Sequence, residues 1–156
     1  MSRVTYHCHE GQSALEALNQ LASLNQDVFA LNESSEALRT FLESRLNTFV
    51  VLALSEAQCV GFKIGFQYSP AVFESWRGGV HHQMRKQGIA TTLMDLQHSW
   101  VQKNGFRMIR TVTDGDNQAM LILNLKHGFT IVDTMMNQSN RSKVVLQKHL
   151  QIVGDH

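Results

Sequence analysis

The chain has 156 residues, 43% hydrophobic and 17% charged, with a formal net charge of +1; this length suits a single domain over residues 1–156, with a core that needs no covalent staple. A charge so near neutral supplies no global field for nucleic acid or an anionic membrane, and no window reaches the roughly 18 apolar residues of a membrane span. Two cysteines, Cys8 and Cys59, in flanks that ask for no bridge, and an opening MSRVTYHCHEG with no apolar signal core read as a cytoplasmic protein with free thiols.

In chain order, RVTYHCH alternates and predicts a first strand. Ser13-Ala-Leu-Glu16 has the spacing of a capping box and predicts a helix carrying Leu15, Leu18 and Leu21. A second amphipathic helix starts near Ser34 or Ser35 and sets Leu38, Phe41, Leu42 and Leu46 on one face. From Phe49 the period changes: FVVLAL, a polar turn over 55–58 and CVGFKIGFQY predict an antiparallel hairpin. ESWRGGV, from Glu74 to Val80, is a further sheet segment, and the loop HHQMRKQ leads to a helix from about Gly88 to Asn104. Strand FRMIRTVT, a DGDN turn and a helix from about Gln118 to His127 follow, with Asn117 as a candidate cap and Gly128 past the end. FTIVDTMM and KVVLQKHL are the last strands. Together these predict a mixed α/β (α+β) sheet layered with helices.

The stretch RKQGIATTLM, Arg85 to Met94, carries the chemistry. A helix start exposes unpaired amides and the positive end of the macrodipole, so a glycine-containing loop entering a helix makes an anion cradle. Bare or nearly bare positions at Gly88 and Ala90 let a phosphate approach, and Arg85 and Lys86 add charge at the rim. Neither of the two commonest nucleotide loops, G-x-x-x-x-G-K-[ST] or G-x-G-x-x-G, is present. Read as Arg85-x-x-Gly88-x-Ala90, the stretch resembles the pyrophosphate motif of the GNAT superfamily of acyl-CoA-dependent N-acyltransferases. The hairpin ending in VGFKIG, the strand SWRGGVHHQM and the asparagine-initiated helix from Asn117 to Gly128-Phe129 resemble that family's next segments, in the right order over about 49–129.

The resemblance implies a mostly antiparallel central sheet, splayed in the middle and flanked by helices on both faces, that takes acetyl-CoA as co-substrate and an amine as acceptor. It assigns the pantetheine arm to the backbone at Gly79, Val80 and His82. It assigns the pyrophosphate to Arg85, Lys86, Gln87, Gly88, Ile89, Ala90 and Thr91, with Asn117 also meeting the arm. Asn124 stands where many members have a tyrosine that protonates the leaving thiolate, and an amide cannot supply that proton. Glu74, eleven residues before Arg85, matches the general base of the histone acetyltransferase branch. Strand alternation would put Glu74, Trp76, Gly78 and Val80 on one face, and burial beside Trp76 would raise the carboxyl pKa.

Other features read more plainly. Ile89, Leu93, Trp100, Met120, Leu121 and Leu123 are expected core. His81 and His82 should point apart, and neither they nor His7-Cys8-His9 has partners at metal-ligand spacing, so no metal is expected. The final strands leave an edge on which a homodimer could pair. Two rivals to an enzyme remain: an inactive relative that senses acyl-CoA, and a regulatory domain that binds ATP or NAD.

Overall fold

The structure, a computed structural model, describes residues 3–21 and 35–151. Its strands are β1 (Val4–Glu10), β2 (Phe49–Ser55), β3 (Gln58–Ser69), β4 (Val72–Val80), β5 (Met108–Asp114), β6 (Thr130–Met136) and β7 (Ser142–His149). They form a seven-stranded sheet in the order β1-β2-β3-β4-β5-β7-β6. Only β4 and β5 run parallel; every other neighbouring pair is antiparallel. Helices α1 (Gln12–Leu21) and α2 (Ser35–Glu43) cover one face, and α3 (Ile89–Lys103) and α4 (Gln118–Lys126) the other.

The continuous apolar run of β2 follows from burial on both sides. Val50 and Leu52 join the core under α1 and α2, whereas Phe49, Val51 and Ala53 join the core under α3. From Gly61 to Phe66 of β3 the alternation is clean: Phe62, Ile64 and Phe66 face α1 and α2, leaving Gly61, Lys63 and Gly65 to face α3. Gly61 is filled by α3 itself, since a Cβ there would lie 3.2 Å from Ile89 and 3.3 Å from Leu93.

β4 does not alternate throughout. Its pairing with β3 passes from Gly65↔Ser75 to Ile64↔Arg77, so Trp76 is an extra residue, a bulge. Gly65 belongs to this irregularity: a Cβ on it would sit 2.3 Å from the Phe73 ring and 2.6 Å from the Glu74 carbonyl oxygen. Overpacking against backbone is costly, so Gly65→Ala is expected to destabilise the chain by about 2 kcal/mol; a urea midpoint equal to that of the unaltered chain would contradict this.

Several expectations are corrected. Helix α1 starts at Gln12, after Gly11 with φ 59°, so Ser13 lies inside its first turn and bonds His9 Nδ1 at 2.8 Å instead of forming a capping box. Leu46 falls beyond the end of α2 and is exposed, so it is not part of that helix's apolar face. Ser34 lies outside the described residues. Ile89 and Leu93 are core as expected, while Trp100, Leu121 and Leu123 pack at its margin. Strand β6 is the outer edge of the sheet, with Ile131, Val132, Met135 and Met136 exposed. Among the described residues, no helix is long and apolar enough to cross a membrane.

Candidate active site

The parallel pairing of β4 with β5 covers only Val72↔Met108 to Ser75↔Thr111. Both strands continue past that point, to Val80 and Asp114, without pairing with each other, so the sheet forks. Thr111 Oγ1 pins the vertex by donating to the Ser75 carbonyl at 2.8 Å. A cavity of about 490 Å³ occupies the fork, bounded by residues 75–78 of β4 and 111–114 of β5. A second cavity of about 450 Å³ extends from it along Gly78, Gly79 and Val80 to the start of α3. The two share Phe62, Lys63, Gly78, Asn117 and Met120 and make one groove.

At the far end of the groove, Gly88 caps α3 in the left-handed region at φ 78°, with no side-chain cap. The first amide of this turn bonded back along the chain is that of Thr92, to the Gly88 carbonyl at 3.1 Å. The amides from Gly88 to Thr91 therefore belong to the unpaired set of a helix start. A Cβ on Gly88 would meet nothing within 4 Å, so the space beside it is open. Arg85, Lys86, Gly88, Ile89, Ala90 and Thr91 line this end, and Gln87 lies between them in the loop. Lys86 also takes a positive φ, 65°, and Arg85 Nε donates to the Val80 carbonyl at 3.4 Å.

Glu74 is buried at 6% exposure, but not on the face that alternation predicts. It pairs with Phe66, and Trp76 packs with Phe41 and Phe66 under α2. Gly78 pairs with Lys63, and Val80 lies in the core under α3. The bulge at Trp76 thus separates Glu74 and Trp76 from Gly78 and Val80 across the sheet. Arg110, opposite Glu74 on β5, donates from Nη1 to both carboxylate oxygens at 2.9 and 2.8 Å and stacks over Tyr68 at 4.6 Å. Burial pushes the Glu74 carboxyl above its ordinary value, and the Arg110 guanidinium opposes that rise.

Across the fork, Asn117 caps α4 by accepting from the Met120 amide at 3.2 Å, as expected of it. Asn124 is buried, and its Nδ2 donates to Thr113 Oγ1 at 3.2 Å. Lys63, which the sequence reading passes over, reaches into the groove on the α3 face. Burial brings its ammonium down to about 8, and among the described residues no hydrogen bond or ion pair holds it. The outlying histidines depart from expectation: the rings of His81 and His82 stack, centroids 4.5 Å apart, where divergence was expected. Among the described residues, no three His, Cys, Asp or Glu side chains gather to hold a metal. Cys8 is exposed and Cys59 buried, both unbridged.

The sequence profile of the acetyltransferase (GNAT) family matches residues 17–129. No curated protein matches the chain. Among solved structures, the chain is similar to the ribosomal-protein-S18-alanine N-acetyltransferase from Escherichia coli, at 13% identity and a TM-score of 0.79 over 97% of this chain and 98% of that one. It is also similar to Ard1 from Thermoplasma volcanium, at 17% identity and a TM-score of 0.77 over 94% and 98%. A GNAT family acetyltransferase from Elizabethkingia anophelis with acetyl-CoA bound aligns at 17% identity and a TM-score of 0.69, again over 94% and 98%. Such identities speak for the fold. With the profile spanning the forked strands, the cradle and α4, the chain belongs to the acetyltransferase (GNAT) family, whose members use acetyl-CoA.

Proposed function

We propose that the chain is a single-domain N-acetyltransferase that passes an acetyl group from acetyl-CoA to a primary amine of a small molecule or protein, by direct attack in a ternary complex. The observation that carries this reading is the groove itself: a fork between two strands that ends at an uncapped helix start. In this assignment the CoA diphosphate meets the amides from Gly88 to Thr91, with Arg85, Lys86 and Gln87 at the rim. The pantetheine arm runs along Gly79, Val80 and His82 toward the vertex, with Asn117 and Asn124 on its other side. Glu74, on the opposite face, takes the amine's proton directly or through one water. Unbridged cysteines favour the cytoplasm, and the exposed β6 edge suits a homodimer.

A second reading, an acyl-CoA sensor without turnover, is favoured by Asn124, which has no acidic proton and has one amide hydrogen committed to Thr113. Release of free thiol from acetyl-CoA across a panel of small and peptide amines separates the two. The enzyme predicts sustained release with at least one amine class; binding of acetyl-CoA with no release across the panel would contradict it and favour the sensor. A nucleotide-binding domain predicts stabilisation by ATP or NAD equal to that by CoA, which a thermal-shift comparison reads.

A further inference from the structure

The cradle end of the groove and the carboxylate lie on opposite faces of the sheet, and the fork, lined by Trp76 and Arg77 as well as Lys63 and Gly78, connects them. Glu74 pairs with Phe66 on the α1 and α2 face, whereas Gly78, Val80 and the cradle open toward α3 and α4. On the acyl-CoA reading, an arm held at the cradle would run along the α3 side of Gly78 and Val80 and bring its thioester to the fork. The amine loses its proton on one face, and the sulfur must gain one on the other, where Asn124 has none to give.

On the α3 side, β3 presents Gly61, Lys63 and Gly65 at alternate positions, and of these three only Lys63 extends a side chain. Gly65 pairs with Ser75 at the vertex, which puts Lys63, two residues along the strand, ~7 Å away. The stem crosses β4 at Gly78, where a Cβ would sit 3.3 Å from Lys63 Cγ and 3.0 Å from the Phe62 carbonyl oxygen. A side chain at Gly78 would crowd this lysine, and Lys63 lines both parts of the groove.

We infer that the Lys63 ammonium meets the departing sulfur of the thioester and gives it its proton. The inference rests on the acyl-CoA reading above. As the amine nitrogen bonds to the carbonyl carbon, the C–S bond breaks and its electron pair stays on sulfur. An Nζ proton passes to the sulfur, and the amine's own proton goes to Glu74. Lys63 is left neutral and Glu74 protonated, and exchange with solvent restores both. An ammonium brought down to about 8 is matched to a thiol of about 8.5. Of the other charged groups nearby, Arg77, which also lines the fork, lies over the Trp76 ring at 4.1 Å on the α1 and α2 face. Asp114 pairs with Lys143, Arg141 reaches Asp116 at 3.8 Å, Arg85 and Lys86 are cationic at the far end of the groove, and burial holds His98 of α3 neutral, at about 3.

The test uses CoA and the full chain and needs no acceptor. The thiolate absorbance of bound CoA is titrated against pH as a difference from the chain alone. On the unaltered chain, the bound thiolate-to-thiol ratio should exceed that of free CoA about tenfold at a given pH, the ratio of one pKa unit. Lys63→Met should return it to the free value and Lys63→Arg should keep it raised. Bound CoA with the ratio of free CoA on the unaltered chain, or a raised ratio in Lys63→Met, would overturn the role of Lys63 and leave the cofactor reading standing. CoA that does not bind the unaltered chain overturns both. The comparison of bound with free CoA involves no variant, so an unraised ratio overturns the role of Lys63 even where a substitution disturbs folding.

Discussion

Glu74→Gln is expected to lower kcat roughly 10²- to 10⁴-fold with any amine that turns over, the usual range for loss of one positioned base, and to leave CoA affinity unchanged. The amide retains an oxygen that can accept from Arg110, so the pair at the vertex keeps one hydrogen bond, and Gln is nearly the same size. What is lost is a site for the amine's proton. The sign of the pH dependence follows from burial. Because desolvation raises the carboxyl above its ordinary value, Glu74 becomes protonated, and useless as a base, at a higher pH than an exposed glutamate. The acid limb of kcat/KM should therefore sit above the usual carboxylate range of about 4.3 and disappear from the residual rate of Glu74→Gln. Steady-state kinetics from pH 5 to 9 read both. A variant with unaltered kcat and the same acid limb would remove Glu74 from the chemistry.

Gly88→Val is expected to weaken CoA binding by roughly 10²-fold or more, the cost of losing one or two charge-assisted hydrogen bonds at about 1.5–3 kcal/mol each. Two effects must be separated. At φ 78° any side chain strains the backbone, by about 1–2 kcal/mol, and a β-branched one strains it most. Yet a Cβ there meets no protein atom within 4 Å, so without ligand the strain is the main penalty. With ligand, valine's branches occupy the space assigned to the diphosphate. Gly88→Ala carries the strain with a single carbon, so its loss of affinity should be much the smaller of the two. Calorimetric titration with CoA, alongside urea unfolding of both variants, separates strain from exclusion. Equal CoA affinity in Gly88→Val and the unaltered chain would place the diphosphate elsewhere.

Gly88 was legible because its cue is local: a glycine between a basic loop and an apolar-periodic run says where a helix begins and that its first turn is bare. The hairpin, the asparagine cap at 117 and the helix order were legible for the same reason. The side of the sheet that Glu74 occupies was not. Alternation assumes one residue per step, and the bulge at Trp76 reverses every side chain beyond it. Arg110 reads as an ordinary polar position in FRMIRTVT, since its partner lies 36 residues away across the one parallel pairing. Lys63 was hidden by composition, because a lysine in a strand usually points to water. Its burial depends on α3 covering that face, and on Gly78 across the strand leaving it room. Leu46 was assigned to a helix that ends three residues earlier, because a helical period carries no stop signal of its own there.

The central claim is that the bare first turn of α3 holds the diphosphate of acetyl-CoA, and a crystal structure of the chain grown with acetyl-CoA tests it most directly. The prediction is diphosphate oxygens within hydrogen-bond distance of the amides between Gly88 and Thr91, with the arm along Gly79 and Val80 and the thioester at the Ser75–Thr111 vertex. Acetyl-CoA seated elsewhere on the chain, with those amides facing only solvent, would contradict it.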